Sequence, residues 1–200
     1  MREGKGETFA NDEEVLEGLE PNPRLKGLEI YNYMGTVISP SWMVNLENLV
    51  EIRFFRCKKC EHIPTLGRLP NLRVIHLLFM LSLKYFYDDD NNMSEDTANM
   101  FLCLQELNIV TCPNLVSLPG KLPKLKVLRL NECNELVSLP DEMQSFKDMN
   151  QLVILGCPKL SERCEKDMGI EWPKISHIPN IRTDLMYRGG FRGALYDLKN

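Results

Sequence analysis

Several things are missing from this 200-residue sequence, and each absence removes a class of protein. There is no run of 18 apolar residues, so no transmembrane helix is expected. The first stretch, Met1 to Asn11, is polar and mixed in charge, unlike the apolar centre of a secretory signal. No block of Lys and Arg could track a phosphate backbone, and the net charge is −4, so nucleic acid is not an expected partner. Gly-x-x-x-x-Gly-Lys-Ser/Thr, Gly-x-Ser-x-Gly and His-Glu-x-x-His are all absent, which leaves no phosphate-cradling loop, nucleophile elbow or zinc-protease helix. The three histidines (His62, His76 and His177) lie far apart and in no nucleophile motif. Catalysis, a metal and a small-molecule substrate are therefore not expected. Cysteine, by contrast, is plentiful. Seven thiols without a secretory signal imply a reducing compartment, the cytoplasm or the nucleus, and make the sequon Asn92-Met93-Ser94 irrelevant.

What the sequence does contain is a repeated phrase. Leu104-x-x-Leu107-x-Ile109-x-x-Cys112-x-x-Leu115-x-x-Leu118-Pro119 recurs 21 residues later as Leu125-x-x-Leu128-x-Leu130-x-x-Cys133-x-x-Leu136-x-x-Leu139-Pro140. This is the leucine-rich-repeat pattern. The same slots are filled by Leu49, Ile52, Phe54, Cys57, Cys60 and Ile63, and by Leu72, Ile75, Leu77, Met80, Leu83 and Phe86. Leu25, Leu28, Ile30 and Tyr33 open the first readable copy, and Met149, Leu152, Ile154, Cys157 and Leu160 make the last. The starts at 25, 49, 72, 104, 125 and 149 give steps of 24, 23, 32, 21 and 24. The long step coincides with an acidic run at 88–99, an insertion within one repeat. About six repeats exceed the roughly three that a solenoid needs to bury a continuous core. The expected organisation is a polar segment with part of a preceding repeat (1–24), a repeat domain (25–181) ending in a cap (161–181), and a disordered tail (182–200).

In each repeat the x-Leu-x-Leu-x stretch should be a short strand, because side chains alternate across a strand and both leucines then face one way. Stacked copies give an α/β solenoid, a horseshoe with a parallel sheet on its concave face and mostly irregular convex segments. The Leu-Pro closures limit helix on the convex side. The x positions then line the concave face. Just before the second strand leucine stand Glu29, Arg53, His76, Asn108, Arg129 and Val153. Just after it stand Tyr31, Phe55, Leu78, Val110, Asn131 and Leu155, apolar in five of six repeats on a face expected to meet solvent. Such a stripe marks a partner surface. The candidate binding residues are accordingly Tyr31, Arg53, Phe55, His76, Leu78, Asn108, Val110, Arg129, Asn131 and Leu155, with Arg53 and Arg129 expected to orient the partner and speed encounter.

Two other signals fall to the repeat register. Cys57-x-x-Cys60 has the look of half a zinc site, but both residues occupy core slots and no second pair lies at ligand spacing. Asp88-Asp89-Asp90-Asn91-Asn92 lacks the Gly and Glu of a calcium loop, with Met93 and Asn99 in their places. Five acids without a base favour a solvated, mobile loop.

The residues between the leucines carry a family resemblance. Cys112-Pro113-Asn114-Leu115, Cys157-Pro158-Lys159-Leu160 and the Leu-Pro closures resemble the C-terminal repeats of plant intracellular disease-resistance proteins, the nucleotide-binding, leucine-rich-repeat receptors of the coiled-coil class. Leu160-Ser161-Glu162-Arg163-Cys164 and Trp172-Pro173-Lys174-Ile175-Ser176-His177-Ile178-Pro179 are similar to the way those receptors end, and Val15-Leu16-Glu17-Gly18-Leu19-Glu20-Pro21 to a helix preceding a repeat. The resemblance covers about residues 12 to 181. It implies a protein-binding module that recognises pathogen effectors or restrains the receptor's nucleotide-binding domain. That domain, which binds ADP or ATP in the family, is not in this sequence, so no cofactor is expected here. The array is expected to open without its N-terminal cap, as a fragment would. The alternative is the substrate-receptor repeat of a ubiquitin ligase, which also places Cys in the turn slot but carries Ile-Thr-Asp-x-Gly-Leu and a convex helix. The extracellular repeat of a receptor kinase would need a signal peptide and Gly-x-Ile-Pro.

Overall fold

A computed structural model describes residues 11–86 and 100–184. The alternating Leu-x-Leu stretches form β1 (Gly27–Tyr31), β2 (Glu51–Phe55), β3 (Val74–Leu78), β4 (Glu106–Val110), β5 (Val127–Asn131) and β6 (Gln151–Leu155), followed by a seventh strand, β7 (Asn180–Thr183). They lie in one parallel sheet in the order of the sequence. The pairing is in register slot by slot, so that Ile30, Phe54, Leu77, Ile109, Leu130 and Ile154 form one inward row. Every residue of that row from Phe54 onward is fully buried. The inner side chains fill one continuous core closed on the other side by Leu46, Leu69, Leu115, Leu136, Leu139 and Phe146. This is the expected leucine-rich-repeat solenoid.

Each of β1 to β6 is followed by a residue with positive φ: Asn32 (54°), Arg56 (59°), Phe79 (58°), Thr111 (54°), Glu132 (56°) and Gly156 (62°). The left-handed conformation turns the chain inward to the Cys slot and costs roughly 1–2 kcal/mol for a side chain bearing Cβ. The compensation is one more rung of sheet. Asn32 N donates to Phe55 O at 2.9 Å, Arg56 N to Leu78 O at 2.8 Å, and Phe79 N, Thr111 N and Glu132 N likewise to the following repeat. In the slot that follows, Cys57, Cys112, Cys133 and Cys157 are fully buried. Their thiols reach strand carbonyls, Cys57 Sγ to Ile30 O at 3.6 Å and Cys112 Sγ to Leu77 O at 3.8 Å, and Cys157 Sγ accepts the Cys133 N–H at 3.4 Å. Cys60, in the next core slot, is equally buried, with its thiol on His62 O at 3.2 Å, so the Cys57/Cys60 pair belongs to the core.

The convex side is made of single turns. Short 3-10 turns run over Ser41–Asn45, Pro64–Arg68 and Asp141–Ser145. Proline here begins a turn: Pro40 and Pro140 precede the first and last, and Pro64 opens the second. Between β1 and β6 the described convex segments contain no α-helix of the ubiquitin-ligase type. Asparagine side chains tie neighbouring repeats together, Asn48 Nδ2 to Pro23 O at 3.2 Å and Asn71 Nδ2 to Glu47 O at 2.7 Å.

The two ends are built differently. At the first, α1 (Asp12–Glu17) lies on the convex side and its carboxylates accept backbone N–H groups of the first repeat, Asp12 Oδ2 from Met34 at 2.7 Å and Glu17 Oε2 from Ser41 at 2.8 Å. Trp42 Nε1 donates to Leu16 O at 2.8 Å. On the strand side nothing among the described residues covers β1, and Leu25 and Leu28 are half-buried where their counterparts Leu49 and Ile52 are fully buried. At the other end, α2 (Pro158–Arg163) and α3 (Trp172–Ile175) lead into β7. Arg182 and Thr183 were expected in a disordered tail beginning at 182; they instead pair with Val153 and Ile154. The next residue, Asp184, accepts the Gly156 N–H at 2.7 Å, taking the place that a strand carbonyl holds in every earlier repeat. The rest of the expected tail, and the acidic insertion 88–99, lie outside the described residues.

Candidate functional site: the open face of the sheet

The side chains that point away from the core form rows, because the strands are in register. Tyr31, Phe55, Leu78, Val110, Asn131 and Leu155 face one another in sequence across β1 to β6, as do Glu29, Arg53, His76, Asn108, Arg129 and Val153. All ten candidate residues thus lie in two adjacent rows, but their exposure is uneven. Tyr31 is 52% exposed, whereas Phe55, Leu78, Val110, Asn131 and Leu155 are half-buried. The expectation of a uniformly solvent-facing apolar stripe is corrected accordingly. Strands about 4.8 Å apart press same-row side chains against one another, and each interior member is shielded by two neighbours.

The charges of the polar row are paired. Arg53 reaches Glu29 at 3.6 Å and Glu51 at 3.5 Å. Glu51 also faces His76 Nε2 at 3.5 Å, and His76 Nδ1 lies 3.3 Å from Asn108 Nδ2. Arg129 bonds Glu106 and, through Nη2, Gln151 Oε1 at 2.9 Å. Burial, and after it the Arg53 guanidinium, hold the His76 imidazole below its usual range, so it stays neutral. Asn108 is 8% exposed, and its Oδ1 has no hydrogen-bond partner. Arg53 and Arg129 are therefore not free to steer a partner as expected; Glu29 and Glu51 occupy the first and Glu106 the second.

One cluster was not read from the sequence. Phe79, in the left-handed position after β3, is 38% exposed and meets Phe55 edge-on with ring centroids 5.5 Å apart. Phe55 in turn lies 5.8 Å from Tyr31, and the Arg56 guanidinium sits 5.0 Å above the Phe55 ring. The Tyr31 hydroxyl donates to Glu29, and that bond raises its pKa. Three aromatic rings from three consecutive repeats therefore form a ladder along the rim of the sheet. A sequence signal existed, since Phe79 aligns with Asn32 and Arg56 one step past the apolar column.

Elsewhere the described residues offer little chemistry. No group of three or more His, Cys, Asp or Glu is placed to hold a metal ion among them, and no described helix is long and apolar enough to cross a membrane. A cleft of about 230 Å³ lies between α1 and the first repeat, lined by Glu13, Glu17, Tyr33 and Ser39 among others. Its carboxylates already hold Thr36 and Ser41, which makes it a structural joint.

In-register parallel strands, an inward cysteine turn and a broad open face define a leucine-rich-repeat domain, a class that works as a protein-interaction module. Residues 2–80 match the family described as R13L1/DRL21 leucine-rich repeats. The disease resistance RPP13-like protein 1 of Arabidopsis thaliana is 27% identical over 180 residues, which cover 72% of this chain and 17% of that protein. The disease resistance protein RGA4 of Solanum bulbocastanum is 33% identical over 110 residues, 54% of this chain and 11% of its own length. RGA1 of the same plant is 44% identical over 68 residues, 33% of this chain and 7% of its own. Among solved structures, the leucine-rich repeat domain of the type III effector XopL aligns with a TM-score of 0.46 at 17% identity, covering 82% of this chain and 70% of that one. The chain is thus a leucine-rich-repeat region similar to parts of these plant disease-resistance proteins, and it spans less than a fifth of their length.

Proposed function

We propose that this chain is the protein-binding module of a plant immune receptor acting in the cytoplasm or nucleus, and that it catalyses nothing. Its open face docks either a pathogen effector or the nucleotide-binding switch domain of the same receptor. The observation that supports this reading is the row Tyr31, Phe55, Leu78 and Val110, apolar side chains aligned on the solvent side of the sheet in a chain whose relatives are disease-resistance proteins. Arg53, His76, Asn108, Arg129, Asn131 and Leu155 complete the contact surface, as its polar floor and far end. Large rings are the natural anchors, each contributing about 2 kcal/mol when fully buried at an interface.

The test is Tyr31→Ser with Phe55→Ser in the full-length receptor. Neither residue is among the fully buried side chains, so accumulation should be normal while association weakens. Spontaneous defence signalling would assign the surface to autoinhibition. Silence under pathogen challenge would assign it to sensing. Unchanged binding, basal activity and triggered activity together would refute the reading.

A further inference from the structure

The open face has two kinds of charge. Those between the strand leucines are paired, Arg53 with Glu29 of β1 and Glu51 of its own strand, and Arg129 with Glu106 of β4. Those on the rim beyond β2 are not. Arg56, Lys58 and Lys59 are exposed and make no ion pair with any described residue; Arg56 rests only on the Phe55 ring. Arg56 sits directly on the ladder, and Lys58 and Lys59 follow it within three residues, Lys58 O accepting the Ser82 N–H at 3.1 Å next to Leu81, itself 37% exposed. Met34, at 47%, continues the apolar surface past Tyr31. At the opposite end of the same rim the charges are occupied, Glu132 by the Thr111 hydroxyl at 2.7 Å and Glu135 by Lys159 at 2.6 Å.

From this asymmetry we infer that the rim formed by Tyr31, Phe55, Phe79, Arg56, Lys58 and Lys59 is the primary docking site, and that its occupant is an acidic protein segment bearing apolar side chains. The inference rests on the protein-binding reading above and narrows it to a place and a chemistry. Unpaired cations attract carboxylates without first breaking an internal pair, and the aromatic ladder supplies an apolar anchor that loses its water on binding. The guanidinium over Phe55 is already held in place for a bidentate contact with a carboxylate. Nucleic acid also combines phosphate with stackable bases, but the ladder does not suit it. Its rings are tilted by 55° and 78° to one another, so successive bases would find no parallel faces.

The experiment is NMR titration of the isotope-labelled 200-residue chain with three probes. These are a 12-residue peptide alternating Glu with Leu and Tyr, its Lys-for-Glu counterpart, and an oligouridylate of equal length. The acidic peptide should shift the amides of residues 31–34, 55–59 and 79–82 at low salt, and binding should weaken about tenfold as ionic strength rises from 0.05 to 0.5 M. Arg56→Gln with Lys58→Gln and Lys59→Gln should weaken it about tenfold. Phe79→Ser should do the same, with the other sheet amides unmoved, which shows that the fold survives. Absence of shifts at millimolar peptide, equal binding of the lysine peptide, or tighter binding of the oligouridylate would each overturn the inference. Shifts centred on Arg129 and Asn131 would overturn it too, yet leave the protein-binding reading standing. That reading fails separately if the Tyr31 and Phe55 double variant leaves receptor behaviour unchanged.

Discussion

Glu171→Ala should release the C-terminal end of the solenoid and leave the other end folded. Glu171 is only 2% exposed. Its carboxylate accepts the Leu139 N–H at 3.1 Å and Arg163 Nη2 at 3.2 Å, and pairs with Lys174 Nζ at 2.9 Å. Lys174 also donates to Leu139 O at 3.2 Å and to Asp141 at 2.8 Å. One carboxylate therefore pins the segment between α2 and α3 to the convex turn of the fifth repeat. Its removal orphans a buried amide, at about 1–3 kcal/mol, and takes the partner from two cations. Lys174 keeps Asp141, and Arg163, 37% exposed, can rehydrate. The loss should therefore fall near the lower end of the range for breaking a buried pair, about 3 kcal/mol. Glu171→Gln retains an acceptor for Leu139 and should lose about half as much. Because repeats stabilise only their neighbours, the effect should be local. In native-state hydrogen exchange, the amides of β6 and β7 should exchange roughly a hundredfold faster in the alanine variant, those of β1 to β3 at the parent rate. Equal behaviour of the two variants, or uniform acceleration through all strands, would refute the pinning role.

Other consequences concern the core and the face. Cys112→Lys and Cys133→Lys should unfold the affected repeats by burying an unpaired charge, whereas alanine at either site should cost about 1 kcal/mol; urea midpoints distinguish the two. Burial pushes the Cys112 thiol up to about 12, and the hydrogen bond with Cys157, with burial behind it, raises that of Cys133, so a bulky thiol reagent should modify both only after denaturation. Gly156→Val should cost about 2 kcal/mol, since φ is +62° and its Cβ would stand 3.3 Å from Glu132 N; thermal unfolding against the parent is the measurement. His76, packed among Arg53, Glu51, Glu106 and Arg129, binds its proton less readily folded than unfolded. Stability should be complete above the unfolded value near pH 6.5 and decline as pH falls through the lower folded value, and His76→Gln should lose that component of the decline. Parallel pH profiles for variant and parent would contradict it.

The parts of the fold that were legible in the sequence are those where one slot admits few residue types. Leu107, Ile109 and Cys112 announce a strand and its inward turn, because only apolar or small thiol side chains fit a fully buried row. The seventh strand was missed because Ile181-Arg182-Thr183 has no second leucine and follows a cap of irregular length; β7 exists through pairing with β6. The left-handed turn was signalled only by Asn32 and Gly156. Arg56, Phe79, Thr111 and Glu132 adopt it against their local preference, under the pull of the next strand's carbonyl. The rows of the candidate face followed from the register, but their exposure did not. Whether Phe55 meets water depends on Tyr31 and Phe79 beside it, and whether Arg129 is free depends on Glu106 and Gln151, in a third row that the leucine spacing leaves unweighted.

That third row bears on where binding chemistry can change. A partner that engages Arg129 must compete with Glu106 and Gln151 and dehydrate all three, although an ion pair this exposed contributes only about 0–1 kcal/mol to the fold. Replacing Arg129 alone would leave Glu106 facing the partner unpaired, so substitutions in the centre of the sheet act on two repeats at once. On the rim, Arg56, Lys58 and Lys59 have no such internal partners among the described residues, and Tyr31 and Phe79 already meet solvent at 52% and 38% exposure. A change there alters what the surface attracts and leaves the inward row from Phe54 to Ile154 untouched. The register that satisfies the centre of the face thus makes it a rigid platform, and the residues just past the strands, held by a left-handed turn whose N–H is already bonded, are the ones free to carry specificity.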